Sequence, residues 1–231
     1  MMKRIFFAAL TACVLMVTDA RAEMPQTDVQ LIQQMGQADG EKILQTLSVF
    51  YDLHASELEV QYANEQLTGS FFDVQRATED GASADEIAKL QKIQNDKRDQ
   101  WDALVKQNQN LRKQLESLSG VEFLDNLMVT PDAPMNAPGT TVGVSSELVK
   151  ERGNAYAEMQ AADAALAQER LVLLDAQERF YAGQNVPIGD HLRAMTAAEL
   201  AFTRAVSAYR LLEAKIAVAT GASVAEVLGG L

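Results

Sequence analysis

The sequence predicts an all-α protein: two antiparallel coiled-coil helical hairpins, one a repeat of the other, forming an elongated four-helix bundle. Three observations carry this prediction. Helix formers such as Ala, Leu, Gln, Glu and Lys dominate both halves, and neither half shows the period-2 alternation of strands. With 5 Pro and 13 Gly in 231 residues, long uninterrupted helices are allowed. Finally, ten core positions recur at a spacing of about 101: Ile87, Leu90, Gln94, Lys97, Trp101, Leu104, Asn108, Leu111, Leu115 and Leu118 in the first half match Ile188, Leu192, Met195, Ala198, Phe202, Ala205, Tyr209, Leu212, Ile216 and Ala219 in the second. Within each half these positions advance by about 3.4 residues per step, the coiled-coil period rather than the 3.6 of a free helix.

Taken in order, residues 1–22 read as a secretion signal. Lys3 and Arg4 form a basic start, Ile5 to Val17 an apolar run too short to span a bilayer, and Ala20-Arg21-Ala22 a cleavage site. A second reading takes Leu10-Thr11-Ala12-Cys13 as a lipoprotein box that would leave a lipid on Cys13, although the apolar segment continues past the cysteine. Removing Lys3, Arg4, Arg21 and Asp19 moves the net charge from −12 to −14. A chain this acidic does not bind nucleic acid or anionic lipid through bulk charge. The single Cys excludes a disulfide framework, and two His, His54 and His191, give little basis for a histidine-built metal centre.

Residues 23–120 form the first predicted hairpin. Its first arm runs from about Thr27 to Glu79, with a bend expected at Gly69-Ser70. Gly81 opens the turn, and Ser83 with Glu86 reads as a capping box for a second arm that Gly120 terminates. Residues 121–145, holding Pro131, Pro134 and Pro138, read as a linker. Residues 146–231 form the second hairpin, in which Gly183 opens the turn, Pro187 sits just before the returning helix and Gly221 ends it. Each arm is roughly 50 Å long at 1.5 Å per residue.

The second half resembles the outer-membrane efflux protein (TolC-like) family. The resemblance rests on residues 174–183, LDAQERFYAG, then Ile188, Asp190 and Leu192, and the closing run from Tyr209 to Lys215 and Thr220-Gly221. It is good over about residues 160–221 and weaker over 60–120. The resemblance implies that the aromatic-x-x-Gly turn is a periplasmic tip that docks on an adaptor. It also implies trimeric assembly and a tube that carries solute. The chain departs from the family in lacking the four membrane-spanning strands. Gln184 and Ala82 also follow the tip glycines, where the family favours a small apolar group such as Leu.

The resulting expectation is a non-catalytic periplasmic component of a Gram-negative export or efflux assembly, with no cofactor. Its partners would be an adaptor (membrane fusion) protein or other envelope secretion components and further copies of itself. Any outer-membrane association would run through a partner or a lipid on Cys13. The alternative is a structural coiled-coil envelope protein, such as a secretion-system or pilus-associated subunit. Candidate partner-binding residues are Gly81, Ala82 and Ser83 at one tip and Phe180, Gly183, Gln184, Asn185 and Val186 at the other. Asp85, Glu86 and Asp190 are candidates for an acidic entrance that would favour cations.

Each candidate has a plainer explanation. Any helical hairpin needs such turn residues, and first-turn carboxylates complement the helix dipole. Gln94, Lys97 and Asn108 fall on the first hairpin's seam, where they fix register or mark a wetter interface. His191 reads as a surface residue, and Trp101 and Phe202 as core. Alanines such as Ala161, Ala162, Ala164, Ala165 and Ala167 lie on several faces of one arm, which implies more than one neighbour.

Overall fold

The computed structural model describes residues 27–36, 38–120, 143–184 and 186–230. It is all-α, as the sequence predicts. The elements are α1 (Asp28–Met35), α2 (Gly40–Glu79), α3 (Ala84–Ser119), α4 (Ser146–Tyr181), α5 (Ile188–Thr220) and α6 (Val224–Gly229). The predicted signal, Cys13 and nearly all of the predicted linker lie outside the described residues.

Helix ends follow local chemistry. Ser83, Ser145 and Ser223 each accept a hydrogen bond from the backbone N–H three residues on, capping α3, α4 and α6. Gly120 and Gly221 close α3 and α5 in the left-handed conformation, both at φ 72°. Other L residues resist that conformation, so glycine is the expected occupant. Pro187 immediately precedes α5 and supplies no side-chain cap.

The expected first arm proves to be two helices. Gly36, at φ 62° and ψ −120°, ends α1, and Asp39 restarts the chain by accepting from Lys42 N–H at 2.7 Å. α1 itself opens with a complete capping box, in which Thr27 accepts from Gln30 N–H and its own N–H donates to the Gln30 side chain. The short α6 after Gly221 also goes beyond the predicted pattern. At the expected bend, helix α2 continues through Gly69, and the buried Ser70 hydroxyl donates to the Leu67 carbonyl at 2.6 Å.

α2 pairs with α3, and α4 with α5, as the two hairpins. α2 also packs along α5 and thereby joins them. Among the described residues the backbone of α3 does not closely approach that of α4 or α5, nor that of α2 the backbone of α4. The bundle is therefore an open row in the order α3, α2, α5, α4, with α1 and α6 across the end where the chains return.

All ten seam positions predicted on α3 are buried or half-buried. In the second hairpin nine of the ten are, and Ala219 is exposed because α5 has nearly ended there. On α4 the buried positions Arg152, Met159, Leu166 and Leu173 recur every seven residues, the heptad of a coiled-coil seam.

The main core sits at the base of the row. Leu31 and Ile32 of α1, Ile43, Leu47, Phe50 and Leu53 of α2, Leu115 of α3, Ala214 and Ala217 of α5 and Leu228 of α6 form one buried cluster. Towards the tips each hairpin buries little more than its own seam, so burial decreases along the arms.

Close approach at the base requires a glycine. A Cβ on Gly40 would lie 2.6 Å from Val218 Cγ1. Gly40→Ala is therefore expected to cost about 1–3 kcal/mol through overpacking. Urea denaturation would measure it, and Val218→Ala in the same chain should recover most of the loss.

Candidate functional site

The two tips are built alike. Ala82 N–H donates to the Ala77 carbonyl and Gly81 N–H to Thr78, while Gln184 N–H donates to Arg179 and Gly183 N–H to Phe180. These are Schellman closures, with Gly81 at φ 74° and Gly183 at φ 83°. Their shared geometry at equivalent repeat positions accounts for the glycines by turn formation alone.

Around these turns the surfaces differ. Gly81 and Ser83 are exposed and Ala82 half-buried, flanked by Thr78, Glu79 and Asp80. At the second tip Phe180 and Tyr181 are exposed and stack edge to face, with ring centroids 6.1 Å apart. Gln184 accepts from Arg179 Nε at 2.9 Å, and Val186 is half-buried. Asn185 lies outside the described residues. Of the candidate entrance, Asp85 and Glu86 are exposed in the first turn of α3, whereas Asp190 is engaged by Arg193 of its own helix. The two sets stand on different hairpins. His191 is half-buried rather than a free surface residue, because it lies on the packed side of α5.

Two of the polar seam positions, Lys97 and Asn108, also have partners. Lys97 Nζ reaches across the first hairpin to the Gln66 carbonyl at 3.3 Å, and Asn108 accepts from Arg112 Nε at 3.1 Å. Lys97 thereby bridges the arms where apolar packing is thin, whereas the Asn108 bond lies within α3.

Buried charge is concentrated near the base. Asp28 and Arg210 are both fully buried. Arg210 Nε donates to Asp28 Oδ2 at 2.5 Å, and Nη2 donates to Oδ1 at 2.8 Å and to the Leu228 carbonyl at 3.2 Å. Tyr51 Oη donates to the same Asp28 Oδ2 at 2.8 Å. One carboxylate on α1 thus ties α2 of the first hairpin to α5 of the second. Burial works against the Arg210 charge, but the facing carboxylate more than offsets it and raises the guanidinium pKa. The Tyr51 phenol is pushed well up, chiefly by burial and then by Asp28, so it stays a neutral donor.

Each hairpin also has its own buried ion pair between arms. In the first, Arg112 of α3 meets Glu57 of α2, with His54 Nδ1 4.0 Å from the same carboxylate. In the second, Arg152 of α4 meets Glu213 of α5 at 3.8 Å, beside a Tyr156–Tyr209 contact. Burial, then Glu213, raises the Tyr209 pKa. Arg112 and Glu213 occupy the same repeat position, so the pair is reversed in sign between the hairpins. Opposite charges 101 residues apart, beside the seam, were the sequence signal for this feature.

The outer flank of α4 leaves apolar side chains uncovered among exposed charges such as Asp163 and Asp175. Leu171 is 62% exposed and Leu174 56%, with Val149 also exposed. Ala161, Ala164, Ala165 and Ala167 are exposed as well, and Ala162 is half-buried. The opposite edge of the row, α3, is polar apart from Ile93.

Among the described residues there is no His/Cys/Asp/Glu cluster able to hold a metal ion, and no helix is long and apolar enough to cross a membrane. No protein-family model, curated protein or solved structure matches the chain.

Proposed function

We propose that the chain is a non-catalytic, TolC-like component of a periplasmic export or efflux assembly. Its hairpins contribute to a helical wall closed by further copies, three in all, and its tips face an adaptor. The observation that carries this reading is the open row whose α4 edge leaves Val149, Leu171 and Leu174 uncovered. Inside the chain, α2 of one hairpin packs on α5 of the other. The repeat-equivalent contact would place α4 of one copy on α3 of the next.

Charge supports that pairing. Within the chain Gly40 lies against Val218, and Glu59 is paired with Arg204. Carried over by the repeat, this antiparallel register sets Glu158 level with Lys106 and Asp175 with Lys89, with Asp163 within three residues of level with Arg98 and Glu178 level with Asp85 and Glu86. Along the middle of the arms these levels join acids on α4 to bases on α3, which favours head-to-tail contact there, while the acids at the tips oppose one another.

Light scattering after size exclusion tests this reading. The chain should run at three times its monomer mass, and Leu171→Glu with Leu174→Glu should reduce it to one copy with helix content unchanged. A wild-type monomer would sink self-assembly and favour the structural coiled-coil alternative.

A further inference from the structure

We propose that α1 is a strap that locks the two hairpins together at the base and can be released as a unit. The inference goes beyond the assembly reading and does not depend on it.

The hairpins meet along α2 and α5 and through the small helices across the base. Of the latter, α1 contacts α2 and α3 of the first hairpin and reaches Arg210 of the second. Its eight residues bury Asp28, Leu31 and Ile32, and a helix this short is not stable by itself. Its hold on the rest is therefore tertiary, and the polar part of that hold converges on one carboxylate. Asp28 receives Tyr51 from the first hairpin and Arg210 from the second, and Arg210 in turn holds the Leu228 carbonyl of α6.

Gly36 separates the strap from α2. Its φ of 62° with ψ of −120° is a conformation open to glycine and resisted by other residues, and a Cβ there would meet nothing within 4 Å. The joint is therefore free of packing, while the helix it carries is pinned at its far end by Asp28.

The energetic consequence follows from Arg210. Nη1 of this fully buried guanidinium already has no hydrogen-bond partner among the described residues. When α1 leaves, its carboxylate leaves too, and a buried unpaired cation is not tolerated. Water then reaches Arg210 from the side that α1 leaves, and the α2–α5 contact loses its cover at the base. Each hairpin keeps its own seam and its own Glu57–Arg112 or Arg152–Glu213 pair, so the loosening falls between the hairpins and not within them.

The test places nitroxide labels on the two exposed tip positions, Ser83→Cys and Gln184→Cys, in the full chain with Cys13→Ser. Distances between them are read by pulsed electron paramagnetic resonance in dilute, mixed labelled and unlabelled protein. One narrow distance is expected with Asp28 intact. Asp28→Asn should broaden or lengthen it at unchanged helix content, and Asp28→Asn with Arg210→Met should narrow it again because no unpaired cation remains. In the unaltered chain, α1 amides should exchange with deuterium at least tenfold faster than those of the buried middle of α2. An unchanged distance in Asp28→Asn would overturn the proposal. So would loss of helix throughout the chain, or α1 exchanging only as slowly as α2.

Discussion

Phe50→Ala is expected to destabilise the protein by about 3–5 kcal/mol. Phe50 is fully buried at the base, edge to face with Tyr51 at 5.6 Å, in the cluster to which α1, α2, α3, α5 and α6 all contribute. Removing its ring leaves a cavity that several helices would have to move together to fill. Leu104→Ala makes the contrast, since Leu104 is half-buried on the thin α2–α3 seam nearer the tip. Its loss should cost about 1–1.5 kcal/mol, below the range for a fully buried leucine because less surface is involved and the arm can relax. Urea denaturation with unchanged slope measures both. Equal costs would mean that stability is spread evenly along the arms, contrary to the decreasing burial.

The second large effect concerns the sign-reversed ion pairs. Glu57→Arg would set two guanidinium groups face to face in the buried seam between α2 and α3, and about 3–5 kcal/mol should be lost. Arg112→Glu should cost a similar amount by opposing two carboxylates, with His54 beside them. The double reversal, Glu57→Arg with Arg112→Glu, restores an attractive pair and should recover most of the loss. A double-mutant cycle by denaturant unfolding gives the coupling directly. Additive losses would show that the two side chains matter separately, through packing, and not as a pair.

The physical content of such a pair is selectivity between arms. The hairpins are close repeats, with equivalent seams and equivalent tip turns. Apolar packing alone therefore distinguishes poorly between α3 and α5 as the partner of a given arm. With Arg112 at one repeat position and Glu213 at its counterpart, a wrong pairing would bury like charges. Burying like charges costs more than the correct pair contributes.

The seam was the most legible part of the fold, because a repeat of apolar residues near 3.5 leaves a helix little choice of face. Residues as polar as Gln94, Lys97 and Asn108 were placed correctly by period alone, since position in the repeat outweighs side-chain character when both arms are long. Helix ends were legible where a cap is chemical, as at Ser83, Gly120 and Gly221. The break at Gly36 was not anticipated. Helix formers continue on both sides of it, and an isolated glycine inside a helical pattern is often tolerated.

The base network was not legible either. Asp28 and Arg210 stand 182 residues apart, and nothing local marks either as buried. Their meeting depends on the hairpins packing α2 against α5, a choice made by the whole tertiary arrangement. The uncovered α4 flank was visible only as an excess of alanine on several faces. Leu171 and Leu174 could not be separated from the buried Leu173 until the partner of α4 was known.

The central claim is that α4 of one copy packs on α3 of the next. The most direct measurement is site-directed cross-linking in the full chain, with Cys13→Ser, Asp163→Cys and Arg98→Cys and a short flexible bis-maleimide. Within one chain these positions lie on opposite edges of the row, on helices whose backbones do not closely approach one another. The account predicts rapid cross-linking between chains, giving covalent species of two and three copies and none larger. Single-cysteine controls should stay monomeric. Absence of inter-chain products under conditions where the thiols are fully modified would contradict it.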